Sequence, residues 1–203
     1  MKRILLCAFI ALTVISCQKK ELTPAEIAKA AKENSEKVVK EIIEKDIKVR
    51  SMGADLHYKL TTIETLKEVN AGTSKKNLIA ELAPTLTIPE LLIRVNEKIK
   101  IAQASSDIES VKGFTFIKTR FEKLEALKDD KAIDYKVLKH QYSVDNLLNP
   151  GTRTDVVEYY YFDGADKLIG FVGNRAYKEF HETSTKTDTQ ADESIMQKII
   201  TDK

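Results

Sequence analysis

The nine residues Thr154–Phe162, Thr-Asp-Val-Val-Glu-Tyr-Tyr-Tyr-Phe, constrain the fold of this chain more than any other stretch. β-branched and aromatic side chains run together there, and they suit a pleated, packed surface. Turn signals bracket the run. Asn149-Pro150-Gly151 precedes it, with Pro and Gly at the central positions of a type II turn, and Asp163-Gly164-Ala165-Asp166 follows it. Tyr135 to Val144 and Lys167 to Val172 have strand character on either side. Residues 131–181 therefore predict a three-stranded antiparallel β meander. A lone meander is marginal in water and needs cover. Phe114, Phe116 and Phe121 in residues 114–127 offer it. Successive strand residues point to opposite faces. Tyr160 and Phe162 share a face with Val156, and Tyr159 and Tyr161 share the other with Val157. One face is expected to meet the helices. The other makes Tyr159, Tyr161 and Tyr142 a candidate partner-binding face for peptide or glycan. The absence of Trp weakens the glycan version.

Residues 24–130 read as helix. Thr23 and Glu26 form a capping box, and Pro24 suits the first helical position of a helix running to about Arg50. Ile27, Ala31, Val38, Ile42 and Val49 make a narrow apolar stripe, with Val39 and Ile43 beside it. Glu33/Lys37, Glu36/Lys40, Glu41/Lys45 and Glu44/Lys48 stand acid-first at i,i+4. Such a helix is stalk-like or coiled-coil-like, serving as a spacer or packing on its downstream neighbours. Leu56, Leu60, Ile63 and Leu66 predict a second helix to about Val69, although Tyr58, Thr61 and Thr62 add strand character. A short helix from Ser74 ends before Pro84, and Thr87-Ile88-Pro89-Glu90 opens another with a second capping box. The register slips near residues 105–113. One helix with a stutter and two helices meeting near Gly113 both fit residues 88–129. Residues 175–181 fit a strand or a helix. Residues 182–203 are polar and read as a flexible tail, in which Ile195, Met196, Ile199 and Ile200 allow a short helix. The expected class is α+β, mainly helical: helical hairpins or coiled-coil-like helices followed by a three-stranded antiparallel β meander.

Both cysteines, Cys7 and Cys17, lie near the start of the chain. Lys2 and Arg3 precede Ile4–Ile15, an uncharged and almost wholly apolar run. It is short of the roughly 20 residues that span a bilayer and has the length of a signal-peptide core. Val14-Ile15-Ser16-Cys17 closes it. This tetrapeptide resembles the lipobox of bacterial lipoproteins. The resemblance implies a diacylglyceryl group on the Cys17 thiol and cleavage before Cys17. In many Gram-negative members the freed amino group is acylated as well. Residues 1–16 are then a signal peptide, and residues 17–23 the lipidated cysteine and its tether. Gln18 is not the Asp that resembles an inner-membrane retention signal. Lys19-Lys20-Glu21 is similar to the segment after the cysteine in lipoproteins of the Bacteroidota, which implies a lipid anchor in the outer membrane. Cell-surface and periplasmic orientations both fit. The resemblance implies nothing about the fold downstream.

Residues 1–16 hold two of the 33 Lys+Arg and none of the 31 Asp+Glu, so removing them leaves 31 cations against 31 acids. A neutral chain argues against nucleic acid as a partner. Loss of Cys7 and lipidation of Cys17 leave no disulfide, so stability rests on packing. His57, His140 and His181 lie in separate segments without metal-ligand spacing. Asp145, Asn146, Asn149, Gly151 and Asp155 draw attention to calcium, but Leu147 and Leu148 stand where an EF-hand loop needs oxygen ligands. No Gly-rich phosphate loop, Gly-x-Ser-x-Gly elbow or Ser-x-x-Lys motif occurs. The expectation is a non-catalytic binding or structural module, anchored to the membrane through Cys17, with an unidentified protein partner and no metal or cofactor. Two other readings stay open. One is an envelope enzyme whose site assembles from scattered Asp, Glu and His; the other is an inhibitor or immunity-type protein.

Overall fold

The computed structural model describes residues 23–82, 85–146, 148–182 and 187–202. The chain divides into two compact units, residues 1–36 and 37–203, and the first helix, α1 (Pro24–Arg50), contributes to both. In the first unit the expected capping box forms: the Glu26 amide donates to Thr23 Oγ1 at 3.2 Å, and the Thr23 amide donates to Glu26 Oε2 at 2.8 Å.

The second unit is α+β. After the end of α1 come β1 (Lys59–Asn70), α2 (Ala71–Leu82), α3 (Ile88–Ala104), α4 (Ile108–Ala126), β2 (Ile133–Asp145), β3 (Arg153–Asp163), β4 (Leu168–Gly173), α5 (Asn174–Glu182) and α6 (Asp188–Thr201). The described strands form one antiparallel sheet in the order β1-β2-β3-β4. The expected meander is β2-β3-β4. The turn at Asn149-Pro150-Gly151 forms as anticipated, with Gly151 at φ +85° and the Thr152 amide donating to the Asn149 carbonyl at 3.1 Å.

The sheet has a fourth strand where a helix was expected, and β-bulges explain the difference. Thr61 and Leu66 have no partner in the register with β2. The extra residue at Thr61 turns the strand's period of two into a spacing of three: Leu60 stands opposite Tyr142 and Ile63 opposite His140, and Ile63 packs on the α1 side. A spacing of three imitates a helical stripe. The bulge at Leu66 then reverses the faces, and Val69 packs on the opposite side. Bulges, together with Lys59, Glu64, Lys67 and Glu68, also blunt this edge strand against pairing with another chain.

Helix covers both faces of the sheet. On one, Val39, Ile43 and Ile47 of α1 pack on Leu138, Tyr142, Tyr160 and Phe162. This is a core stripe, and it corrects the coiled-coil reading for residues 37–50. Val38 and Val49, expected in the stripe, are exposed. Two ion pairs of this half are base-first, Lys37–Glu41 at 4.0 Å and Lys40–Glu44 at 3.9 Å, contrary to the expected pairing, and such exposed pairs contribute little; Asp46–Arg50, at 2.8 Å, is acid-first.

On the other face Phe116 of α4 and Ile195 and Met196 of α6 pack on Val69, Tyr135, Val137, Tyr159 and Tyr161. The segment read as a flexible tail therefore supplies a core helix. Residues 188–201 fold because the buried side chains Ile195 and Met196 outweigh a polar composition. Residues 88–126 form two helices. They part at Ser105–Asp107 and not at Gly113: Ser106 has φ +57°, and the Asp107 side chain caps α4 by accepting from the Ser110 amide at 3.1 Å. Residues 174–182 are helical, which closes the alternative left open for them.

Candidate functional site

The most elaborate polar arrangement lies between the sheet and α6. Asp192 and Glu193 are both buried. Asp192 stands three and four residues before Ile195 and Met196, on the apolar face of α6, and enters the core with them. Its carboxylate accepts from the hydroxyls of Tyr135 and Tyr161, each at 2.9 Å, and from His181 Nε2 at 3.1 Å. Lys67 of β1 completes the set with an ion pair. Glu193 binds Arg120 of α4, Nε at 3.0 Å and Nη2 at 2.6 Å. The guanidinium also grips Asp134 of β2, Nη1 at 3.0 Å and Nη2 at 2.6 Å. Arg120 lies four residues from both Phe116 and Leu124, within the buried side of α4.

Burial and the neighbouring Asp192 push the Tyr135 and Tyr161 hydroxyls far up, so both remain donors. Burial opposes ionisation of Asp134, yet the Arg120 fork outweighs it and holds the carboxyl below its ordinary value. Burial dominates at Glu193 and pushes it up, against the attraction of Arg120. Three carboxylates, Asp134, Asp192 and Glu193, thus face Arg120, Lys67 and Lys123, the last 3.6 Å from Asp134. The groups satisfy one another. Chemically, the arrangement locks α4, α5, α6 and the strands β1, β2 and β3 together.

A second polar cluster lies on the α1 face. Arg50 forks onto Glu158 of β3 with two 2.8 Å hydrogen bonds, donates to the Tyr160 hydroxyl at 2.7 Å, and binds Asp46 at 2.8 Å. Its guanidinium carbon stands 3.9 Å over the Phe171 ring. Beside it His140 is fully buried. It stacks on Tyr142 at 4.6 Å, and its Nε2 lies 2.9 Å from the Tyr58 hydroxyl. Burial pushes His140 down to about 4. Tyr58 also lines a cavity of about 540 Å3 with Glu44, Ile47, Lys48, Asp55 and Leu56. The backbone bordering it is strained, with Met52 at φ +52° and His57 at φ +46°. The exposed His57 ring meets Asp145 at 2.6 Å, and that hydrogen bond raises it above its ordinary value.

These positions correct the expected tyrosine face. Tyr159, Tyr161 and Tyr142 are buried, at 7%, 0% and 6% exposure. Tyr161 holds Asp192, Tyr159 stacks face to face on Tyr177 at 3.6 Å, and Tyr142 packs on His140. The cause is the helical cover on both faces, α1 on one and α5 and α6 on the other. Cys17 lies outside the described residues. The Asp145–Asp155 turn is held by its own contacts: Asp145 pairs with His57 and Arg153, and the Asn146 side chain accepts from the Leu148 amide at 3.0 Å. Leu147 lies outside the described residues. Among the described residues no three His, Cys, Asp or Glu side chains are placed to hold a metal ion.

Sequence reasoning missed Arg120, Asp134, Asp192, Glu193, Arg50 and Glu158. A signal existed for three of them. Arg120 interrupts an apolar helical face, Asp192 begins one, and Glu158 shares the strand face of Tyr160 and Phe162. A charge on an apolar face marks a buried pair. No protein-family model, curated protein or solved structure matches the chain.

Proposed function

We propose that this protein is a lipid-anchored lipoprotein of the bacterial cell envelope, held at the outer membrane by acylated Cys17. Its α+β domain acts as a non-catalytic binding module for a protein partner. The observation that carries the reading is Val14-Ile15-Ser16-Cys17 at the end of a short apolar run that begins after Lys2-Arg3. One acyl chain gives marginal membrane binding, and two or three on one cysteine give stable attachment. No helix among the described residues is long and apolar enough to cross a membrane.

The internal ion pairs support binding over catalysis, because Asp134, Asp192 and Glu193 are committed to partners inside the core. With the tyrosines buried, support for a partner surface moves to α3 and the start of α4, where Ile93, Ile101 and Ile108 are exposed. One observation favours an enzyme instead: the Asp145–His57 pair has the form of an oriented general base, and its segment borders the strained cavity. The His57 ring does not line that cavity, so binding remains the better-supported reading.

Metabolic labelling with palmitate tests the anchor. The wild-type chain takes up label, and Cys17→Ser abolishes it. Label that persists in Cys17→Ser removes the basis of the proposal.

A further inference from the structure

The α1 face of the sheet holds one titratable side chain that is buried and half-satisfied. His140 has 0% exposure and a single hydrogen-bonding contact, Nε2 to Tyr58. Its Nδ1 is buried with no hydrogen-bond partner among the described residues. A neutral ring tolerates this, because one nitrogen need not carry a proton. A protonated ring has two N–H donors, and the second would be buried without an acceptor.

In the closed arrangement no acceptor among the described residues reaches Nδ1. From α1, Arg50 and Asp46 face the cluster, with Glu44 acting on Tyr58. Tyr58 approaches from the segment before β1, Tyr142 from β2, and Glu158 and Tyr160 from β3. Glu158 is the carboxylate opposite His140 in the β2–β3 register. Both its oxygens are already held by Arg50 at 2.8 Å, and the Tyr160 hydroxyl also lies 3.1 Å from one of them. An imidazolium at this place must stay unpaired beside the Arg50 cation or draw Glu158 away from it. Either outcome weakens the polar link between α1 and the sheet.

We propose that the C-terminal half of α1, residues 37–50, is an acid-released clasp: protonation of His140 breaks the Arg50–Glu158 fork and frees this segment from the sheet. What remains on α1 is the apolar stripe of Val39, Ile43 and Ile47. Release uncovers Leu138, Tyr142, Tyr160 and Phe162, the sheet residues that α1 covers. A lengthened link between membrane and sheet would follow as well; that consequence rests on the Cys17 anchor, whereas the release does not.

The sign follows from linkage. Burial holds His140 at about 4 in the closed state, and release that exposes the ring returns it toward its ordinary value of 6.5. The open state therefore binds more protons between these values, and closure weakens as the pH falls through them. Opening of residues 37–50 is favoured roughly 50-fold at about pH 4.5 relative to about pH 7.

Amide hydrogen exchange of the full chain in detergent, corrected for intrinsic rates, reads this directly. Protection of residues 37–50 is expected to fall roughly 50-fold between about pH 7 and about pH 4.5, while β3 keeps its protection. His140→Phe keeps a ring on Tyr142 and is expected to hold α1 protection constant across the same range. His140→Gln, which also cannot titrate there, is read the same way and stands in where the Phe variant does not fold. Unchanged protection of residues 37–50 in the wild type would overturn the proposal. So would loss of β3 protection in step with α1, which is global unfolding, or an undiminished acid response in the folded variant. None of these outcomes bears on lipidation of Cys17.

Discussion

Arg120→Met is expected to lower the unfolding free energy by about 3–5 kcal/mol, the usual cost of removing one partner from a buried ion pair. The guanidinium makes four hydrogen bonds to two carboxylates, Asp134 and Glu193, that have no access to solvent or nearly none. Without it, two acids remain in a site that disfavours their charge. Urea denaturation followed by circular dichroism measures the effect. The triple variant Arg120→Met, Asp134→Leu, Glu193→Met separates the penalty from the worth of the triad. Apolar replacement of a whole buried charge group is often neutral or stabilising, so the triple variant is expected to recover most of the loss. An Arg120→Met protein within about 1 kcal/mol of wild type would mean that this triad does not lock α4 to α6 and β2.

Asp192→Ala is the second large effect. The substitution strands the Tyr135 and Tyr161 hydroxyls, His181 and Lys67 at once. Each buried donor left without an acceptor costs about 1–3 kcal/mol, and the two tyrosines have 0% exposure. A loss of about 3–5 kcal/mol is expected, since Lys67 and His181 regain part of their cost by turning to water. At about 2–4 °C per kcal/mol for a chain of this size, the melting temperature falls by about 6–20 °C. Adding Tyr135→Phe and Tyr161→Phe to Asp192→Ala removes both orphaned hydroxyls and is expected to restore part of the stability. A melting temperature unmoved by Asp192→Ala would show that the carboxylate is not the acceptor that organises this centre.

The meander was legible because Thr154–Phe162 and its flanking turns agree at every level, in propensity, period and turn chemistry. The caps at Thr23 and Thr87 were legible because a capping box is a local device. The Glu90 carboxylate reaches back to the Thr87 amide at 2.8 Å, and nothing distant is needed. β1 was not legible, because its bulges convert a strand's alternation into helix-like spacing, and a bulge is fixed by the partner strand. The tail was misread because composition averages over Ile195 and Met196, whose burial depends on a sheet face some sixty residues upstream in β2.

The tyrosine cluster shows the limit most clearly. Alternation correctly separated Tyr160 and Phe162 from Tyr159 and Tyr161. It could not say whether either face was left open, because cover is a tertiary property. The charged residues followed the same logic. Arg120, Asp192 and Glu158 each sit on an otherwise apolar face, and that inconsistency was the available sign of a buried network. Their partners, Asp134, Glu193 and Arg50, carried no such sign, since each lies in a locally polar sequence.

Anchoring through Cys17 is the claim on which the functional account rests, and the mass of the mature protein tests it most directly. The protein extracted from bacterial membranes with detergent is expected to begin at Cys17 and to carry a diacylglyceryl thioether, with a further acyl group on the amino terminus where the host adds one. A mature chain that begins at any other residue, or an unmodified Cys17 in the membrane fraction, would contradict it.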